Sequence, residues 1–210
     1  MKHTRSILRH SALFLGLLSL FSCTNQAPEA RKPSEESKVA KAAPMPFPFY
    51  KDLTVTPGFG FEVLSWGKGV DSVGGYLILM SDSTRNNFKS FAVEREGIIT
   101  DAWNMDLDND GNPEIYVELK SGQNKSDLNV FEYSRGNFQK ISFPGLPSKL
   151  KKRYDGNDKY FIKEGELFRS FPVTNPQDTT EKAGDIKVVR YSLRGNQFTT
   201  SEIEEQTTQP

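Results

Sequence analysis

The stretch IITDAWNMDLDNDGNPEIYVEL, residues 98 to 119, gives the clearest indication of architecture. It contains two segments rich in β-branched and aromatic residues, 98–105 and 114–119, separated by a polar turn that includes Asp110-Gly111. A short connection favours antiparallel pairing, because parallel strands need a crossover of roughly a dozen or more residues. This stretch therefore predicts two antiparallel strands joined by an acidic loop.

The same strand character extends outward along the chain. It recurs at residues 53–55, 61–66, 76–80, 88–93, 127–133, 160–162, 167–171 and 186–193. Only residues 146–154, with Pro147 near the start and basic residues toward the end, have a helical pattern. We expect an all-β fold with minor α content, an antiparallel β-sandwich or partly closed barrel with one short helix. Trp66 and Trp103 lie within apolar segments and are expected to pack in the core.

The N-terminus has the order of a secretory signal. Lys2, Arg5 and Arg9 precede an apolar run, residues 12–21, which is too short to span a bilayer, for which about 20 apolar residues are needed. The run ends in Leu20-Phe21-Ser22-Cys23, which resembles a bacterial lipobox. That resemblance implies a lipoprotein signal peptide at residues 1–22 and acylation of Cys23. The alternative is an ordinary signal peptide with an incidental cysteine.

Acyl chains on Cys23 would hold the protein to a membrane, because each buried methylene contributes roughly 0.8 kcal/mol. Thr24, in place of an aspartate, implies by the same resemblance the outer membrane of a Gram-negative bacterium, on its periplasmic or surface side. Residues 23–47 are expected to form the lipidated cysteine and a flexible linker rich in Pro and Ala. The folded domain is predicted at 48–203, followed by a disordered tail at 204–210.

The composition excludes several function classes. The chain has 27 basic and 27 acidic residues; loss of residues 1–22 would remove three basic groups and leave 24 against 27. A formal charge of −3 argues against a nucleic-acid partner. His3 and His10 are the only histidines and Cys23 is the only cysteine, so the mature domain would lack His- and Cys-dependent nucleophiles and ordinary zinc sites. An enzyme would have to work with carboxylates, Lys or Tyr, and we predict that the protein is not an enzyme.

The loop Asp106-Leu107-Asp108-Asn109-Asp110-Gly111-Asn112-Pro113-Glu114 has the oxygen-donor pattern of a calcium loop. Asp106, Asp108, Asp110 and Glu114 are the predicted ligands. Val117 stands where an EF-hand has its bidentate glutamate, so this is at best an EF-like half-site. The alternative is an Asp/Asn-rich turn whose side chains accept backbone hydrogen bonds. No cofactor is required, and Ca²⁺ is the ion that the loop would take.

A second polar loop, residues 120–127, follows the next strand. By itself it is typical of a solvated hairpin connection. Its start, Lys120-Ser121-Gly122, belongs to an ordered set of motifs with Ser65 to Tyr76, Asp101-Ala102-Trp103 and the acidic loop. In that order these motifs resemble the periplasmic inhibitors of invertebrate-type lysozyme and their lipoprotein relatives. The resemblance covers about the central third of the domain.

The resemblance implies a β-rich domain that inserts a Ser/Gly-rich loop into the lysozyme cleft, where a serine and a tyrosine engage the catalytic carboxylates. The inhibitory loop would comprise Lys120, Ser121, Gly122 and Lys125. No tyrosine stands in this loop, so the donors would be a hydroxyl and an ammonium group facing the two carboxyl groups of the cleft. The expected partners are a lysozyme, with the invertebrate type favoured, and the membrane through the lipid anchor.

Three other functions remain open at this point. The first is a calcium-binding, non-enzymatic module of the outer membrane that binds a glycan or a protein. The second is an envelope structural lipoprotein that contacts other surface proteins through its edge strands. The third is a carboxylate-only hydrolase, which would need two acids at the spacing of a glycosidase among Asp101, Asp106, Asp108 and Glu114.

Overall fold

A computed structural model of the chain describes residues 47–67, 73–174 and 185–203. The predicted signal peptide, Cys23, most of the linker and the tail at 204–210 lie outside the described residues. The strands, in chain order, are β1 Tyr50–Thr56, β2 Phe59–Trp66, β3 Val73–Asp82, β4 Asn87–Glu96, β5 Ile98–Met105, β6 Glu114–Ser121, β7 Lys125–Ser134, β8 Asn137–Ile141, β9 Lys159–Lys163, β10 Glu166–Pro172, β11 Ile186–Arg194 and β12 Gln197–Ile203. The helix α1 is Ser148–Lys151.

The strands form three four-stranded antiparallel sheets, each built from strands that are consecutive in the chain. We call them sheet I (β1 to β4), sheet II (β5 to β8) and sheet III (β9 to β12). The register within each sheet is that of simple hairpins, with shifts between Thr54 and Thr56 in β1 and between Ile99 and Asp101 in β5. Local pairing of neighbouring strands follows from the short, turn-rich connections between them.

Both faces of sheet II are buried. Successive residues of a strand point to opposite faces, so Ile115 and Val117 of β6 lie on one side and Tyr116 on the other. Ile115 and Val117 belong to a core cluster with residues of sheet I, such as Phe61 and Tyr76. Tyr116 belongs to a second cluster with residues of sheet III. The buried β6 run is therefore apolar at consecutive positions, as expected for a strand covered on both faces.

The connections between sheets differ in length. Gly97 alone separates β4 of sheet I from β5 of sheet II. Residues 142–158 join sheet II to sheet III and contain α1, whose Leu150 is buried in the second core cluster. Within the described ranges, no helix is long and apolar enough to cross a membrane.

The predicted fold class is confirmed: the chain is an antiparallel all-β protein with one short helix and no closed barrel in the described part. All ten segments predicted as strands are strands. The sequence reading missed β8 and β12, which are polar strands that each follow an Arg-Gly turn. The predicted helix over 146–154 is too long, because only Ser148–Lys151 is helical and Tyr154 pairs with Val173 in a β-bridge.

The two tryptophans have different environments. Trp103 is half-buried, packs against the second core cluster and stacks on Tyr116 with the ring planes 1° apart and the centroids 5.4 Å apart. The prediction that Trp66 lies in the core is wrong, since 42% of this residue is exposed. It occupies the last position of β2, where alternation places it on the outer face of sheet I.

Candidate cation site and hairpin

The acidic loop connects β5 to β6 at one end of sheet II. Its four carboxylates, those of Asp106, Asp108, Asp110 and Glu114, can place one oxygen each so that all four lie within 4.8 Å of one another. The structure therefore brings together every residue that the sequence predicted as a ligand. Hard divalent cations are bound by such clusters of oxygen atoms.

Two of these carboxylates also shape the turn. Asp106 accepts hydrogen bonds from the backbone N–H groups of Asp110 and Gly111, both at 3.0 Å. Asp110 accepts from the backbone N–H of Asn112 at 2.8 Å. Asn109 and Gly111 have φ angles of +58° and +86°, which Asn and Gly adopt most readily. The side chains thus hold the loop in a fixed conformation, as the turn interpretation expects.

The other two carboxylates have oxygen atoms that the turn does not use. Glu114 is fully buried, and its Oε2 accepts from the backbone N–H of Leu107 at 2.7 Å while Oε1 is buried without a hydrogen-bond partner. Asp108 Oδ2 accepts from the backbone N–H of Gly195 at 3.1 Å, and its Oδ1 is also buried without a partner. Buried acceptors without partners are costly, so these two atoms point to a ligand.

The electrostatics of Glu114 agree with this arrangement. Burial raises the pKa of its carboxyl group to about 8, the Leu107 N–H opposes this rise, and the carboxylates of Asp108, Asp106 and Asp110 add to it. A cation at this position would favour the ionised carboxylate and reverse the effect, because metal ligation and deprotonation are coupled.

Glu132 is a nearby acid that the sequence analysis missed. It lies directly opposite Glu114 in the β6–β7 register and is itself buried. Carboxylates at directly opposed positions destabilise a sheet unless something compensates their charge. No local sequence signal marks Glu132, since its proximity to the acidic loop depends on the pairing of β7 with β6.

The predicted inhibitory residues lie at the other end of β6. Lys120, Ser121, Gly122 and Lys125 are all exposed, and a single 3-10 turn, Gly122–Asn124, links β6 to β7. Ser121 and Lys125 are directly opposed in the register, and Ser121 Oγ donates to the Lys125 carbonyl oxygen at 3.4 Å. Their side chains therefore leave the same face of the hairpin.

This hairpin end is fixed to the segment before sheet III. The backbone N–H of Asn157 donates to the Asn124 carbonyl oxygen at 2.8 Å, and Asp158 accepts from the backbone N–H of Ser126 at 2.9 Å. The connection is therefore a tight, anchored turn. At about 3.3 Å per residue, β6 holds it roughly 23 Å from the acidic loop.

Comparison of the chain with protein-family models, curated proteins and solved structures gives no match. The resemblance to lysozyme inhibitors therefore remains an expectation from the sequence motifs. Of the acids that a hydrolase would need, Asp101 pairs with the Lys51 ammonium group, and Asp106, Asp108 and Glu114 belong to the group of four clustered carboxylates.

Proposed function

We propose that the protein is a calcium-binding, non-enzymatic binding module of the bacterial envelope. One observation carries the calcium assignment: four carboxylates converge within 4.8 Å, and buried oxygens of Asp108 and Glu114 in this cluster lack hydrogen-bond partners. The envelope assignment rests on the signal sequence and lipobox-like Cys23. Asp106, Asp108, Asp110 and Glu114 would supply the oxygen ligands.

The ion would connect two sheets of the domain. The acidic loop belongs to sheet II, while the Gly195 N–H that binds Asp108 belongs to the β11–β12 turn of sheet III. Leu107, within the loop, packs against the core cluster shared by these sheets. Calcium would therefore stabilise the folded domain as well as the loop, because a ligand that binds only the native state raises its stability.

The test is thermal unfolding of the full chain in saturating calcium and in a chelator. At a free calcium concentration about 100 times the Kd, the native state gains about 2.7 kcal/mol, which corresponds to a rise in Tm of roughly 5 to 10 °C. Glu114→Gln, which preserves shape and removes the charge, should abolish this rise. Asp52→Asn, at an exposed aspartate in β1, is the matched control and should preserve it. Equal Tm values with and without calcium in the unaltered protein would contradict the proposal.

Lysozyme inhibition is the second candidate, and the opposed, exposed positions of Ser121 and Lys125 favour it. A hydroxyl and an ammonium on one face of an anchored turn could donate to the two carboxyl groups of a muramidase cleft. The calcium module has the stronger geometric support. The connection between β6 and β7 is a single 3-10 turn, which is too short to extend into a cleft.

Titration of the full chain into invertebrate-type, chicken-type and goose-type lysozymes acting on peptidoglycan tests this candidate. Stoichiometric inhibition of one class is expected, and Ser121→Ala combined with Lys125→Ala should abolish it without lowering Tm. Lys149→Ala, at another exposed lysine, should leave inhibition unchanged. Inhibition that survives the double substitution would exclude the hairpin as the inhibitory loop.

A further inference from the structure

The outer face of sheet I carries an aromatic side chain at an unusual position. Trp66 at the end of β2 lies directly opposite Gly75 of β3, and Gly75 lies directly opposite Glu94 of β4. These three residues therefore form one row across the sheet, on the face away from the first core cluster. Trp66 is 42% exposed, and Glu94 is also exposed.

The indole ring of Trp66 occupies the space that a side chain at position 75 would fill. A Cβ atom built on Gly75 would lie 2.2 Å from Cζ2, 2.6 Å from Cε2 and 2.7 Å from Cη2 of Trp66. The six-membered part of the ring thus rests across the backbone of β3. One ring face is supported by the sheet, and the exposed fraction of the residue leaves the remainder of the ring open to solvent.

The cleft that Trp66 lines also contains polar groups. Trp66, Gly75 and Glu94 line a cleft of about 880 Å³ together with residues of sheet II. The rest of its lining includes carboxylate, guanidinium, amide and ammonium groups, those of Glu96, Arg95, Asp127, Asn129 and Lys140. A lining of both charge signs with hydrogen-bond donors and acceptors suits an uncharged polyhydroxyl ligand better than a cation or an anion.

We propose that Trp66, seated on Gly75 and flanked by Glu94, is a platform for a saccharide. A pyranose ring presents C–H bonds on one face, which pack against the electron-rich face of an indole. Its hydroxyl groups lie around the rim, where the Glu94 carboxylate accepts charge-assisted hydrogen bonds. This inference deepens the proposed function, because it names the ligand class of the binding module. It rests on the proposed binding role of the domain and does not depend on calcium.

The chain contains two tryptophans, so Trp103→Phe leaves Trp66 as the only indole. We would titrate this variant of the full chain with three tetrasaccharides, chitotetraose, cellotetraose and maltotetraose, and record tryptophan emission. A saturable change with at least one of them is expected. Trp66→Phe, which leaves only Trp103, should give no change.

Trp103 packs against the core, so its replacement could disturb the fold. The second measurement is therefore calorimetric titration of variants in which Trp103 is unchanged. Trp66→Ala changes an exposed residue, and Gly75→Ala forces the ring off its seat; each should weaken binding at least about tenfold. Gly136→Ala, at a turn with open space around the Cβ position, should bind like the unaltered chain.

Absence of saturable binding to all three sugars would overturn the inference, as would binding that Gly75→Ala leaves unchanged. Emission changes with trilysine that high salt abolishes, without any response to sugars, would identify a cation site and also overturn it. Calcium-dependent Tm, measured on the same samples, separates the two proposals. A calcium shift without sugar binding contradicts only the platform, and sugar binding without a calcium shift contradicts only the cation site.

Discussion

Arg169 is a buried cation in sheet III, and its partners show how the fold accommodates its charge. Its Nε donates to Asp158 Oδ1 at 2.6 Å, and its Nη2 donates to the Ser126 carbonyl oxygen at 3.1 Å and to the Tyr154 hydroxyl at 3.2 Å. The guanidinium carbon also lies 5.3 Å from the ring centres of Tyr154 and Tyr160. The side chains of Arg169 and Asp158 are 6% and 0% exposed, so solvent compensates neither charge.

Replacement of either partner should therefore be severe. Arg169→Met leaves the Asp158 carboxylate buried without its counter-charge, and we expect a loss of about 3 to 5 kcal/mol in the free energy of unfolding. Asp158→Asn should cost a similar amount. The combined variant should lose clearly less than the sum of the two, because it leaves no uncompensated charge. Chemical denaturation of the four proteins measures this coupling, and strictly additive losses would show that the pair is not the source of the effect.

At the scale of elements, the passage from sheet I to sheet II depends on one residue. Gly97 has a φ angle of +100°, and a Cβ atom there would lie 2.7 Å from the backbone carbonyl oxygen of Lys120. The Arg95 guanidinium donates to the Gly97 carbonyl oxygen and holds the bend. A strand of one sheet can continue directly into the next here because glycine tolerates both the backbone angle and the close approach.

Gly97→Ala should destabilise the domain more than Gly136→Ala. Gly136 has a similar left-handed angle, +78°, but open space around its Cβ position, so its substitution should cost about 1 to 2 kcal/mol from the backbone conformation alone. Gly97→Ala adds a clash with the backbone of β6, which cannot move without disturbing a paired strand. Urea denaturation compares the two variants, and equal losses would mean that β6 yields to the added methyl group.

Element prediction from the sequence succeeded where alternation was strong. It failed for β8 (NFQKI) and β12 (QFTTSEI), which are outermost strands of their sheets and carry few apolar residues. Both strands follow Arg-Gly turns, at Arg135-Gly136 and Arg194-Gly195. A hairpin rule applied to those turns would have found the two strands, because a tight turn after a strong strand usually returns a second one.

At the scale of the whole molecule, sheet II links the two core clusters. Ile115, Val117 and Phe131 contribute to the cluster with sheet I, and Tyr116 and Val130 contribute to the cluster with sheet III. Loss of either outer sheet would expose a buried face of the middle one. Burial of apolar surface contributes roughly 25 cal/mol per Å² to stability, so exposing that face of sheet II to water would be costly. We therefore expect that neither outer sheet separates without unfolding sheet II.

The expected consequence is a single cooperative unfolding transition. Trp66 reports on sheet I, and Trp103 reports on the junction of sheets II and III. Denaturant titrations of Trp103→Phe and Trp66→Phe should each show tryptophan emission changing at the same midpoint as the far-ultraviolet circular dichroism of that variant. A midpoint for Trp66 emission distinct from that of the circular dichroism would show that sheet I unfolds separately.

The sequence alone determined the antiparallel all-β class, ten of the described strands, the position of the helix and the residues of the acidic loop. Each of these features depends on local information: the alternation of side chains, the turn residues, and carboxylates spaced closely along the chain. Only the tertiary structure decided that Glu114 is buried opposite Glu132 and that Trp66 packs on Gly75 while remaining exposed. It also decided that the acidic loop and the β6–β7 turn lie at opposite ends of β6. A strand's sequence shows which residues share a face, but the sheet or solvent that covers that face is fixed by pairing and packing between residues far apart in the chain.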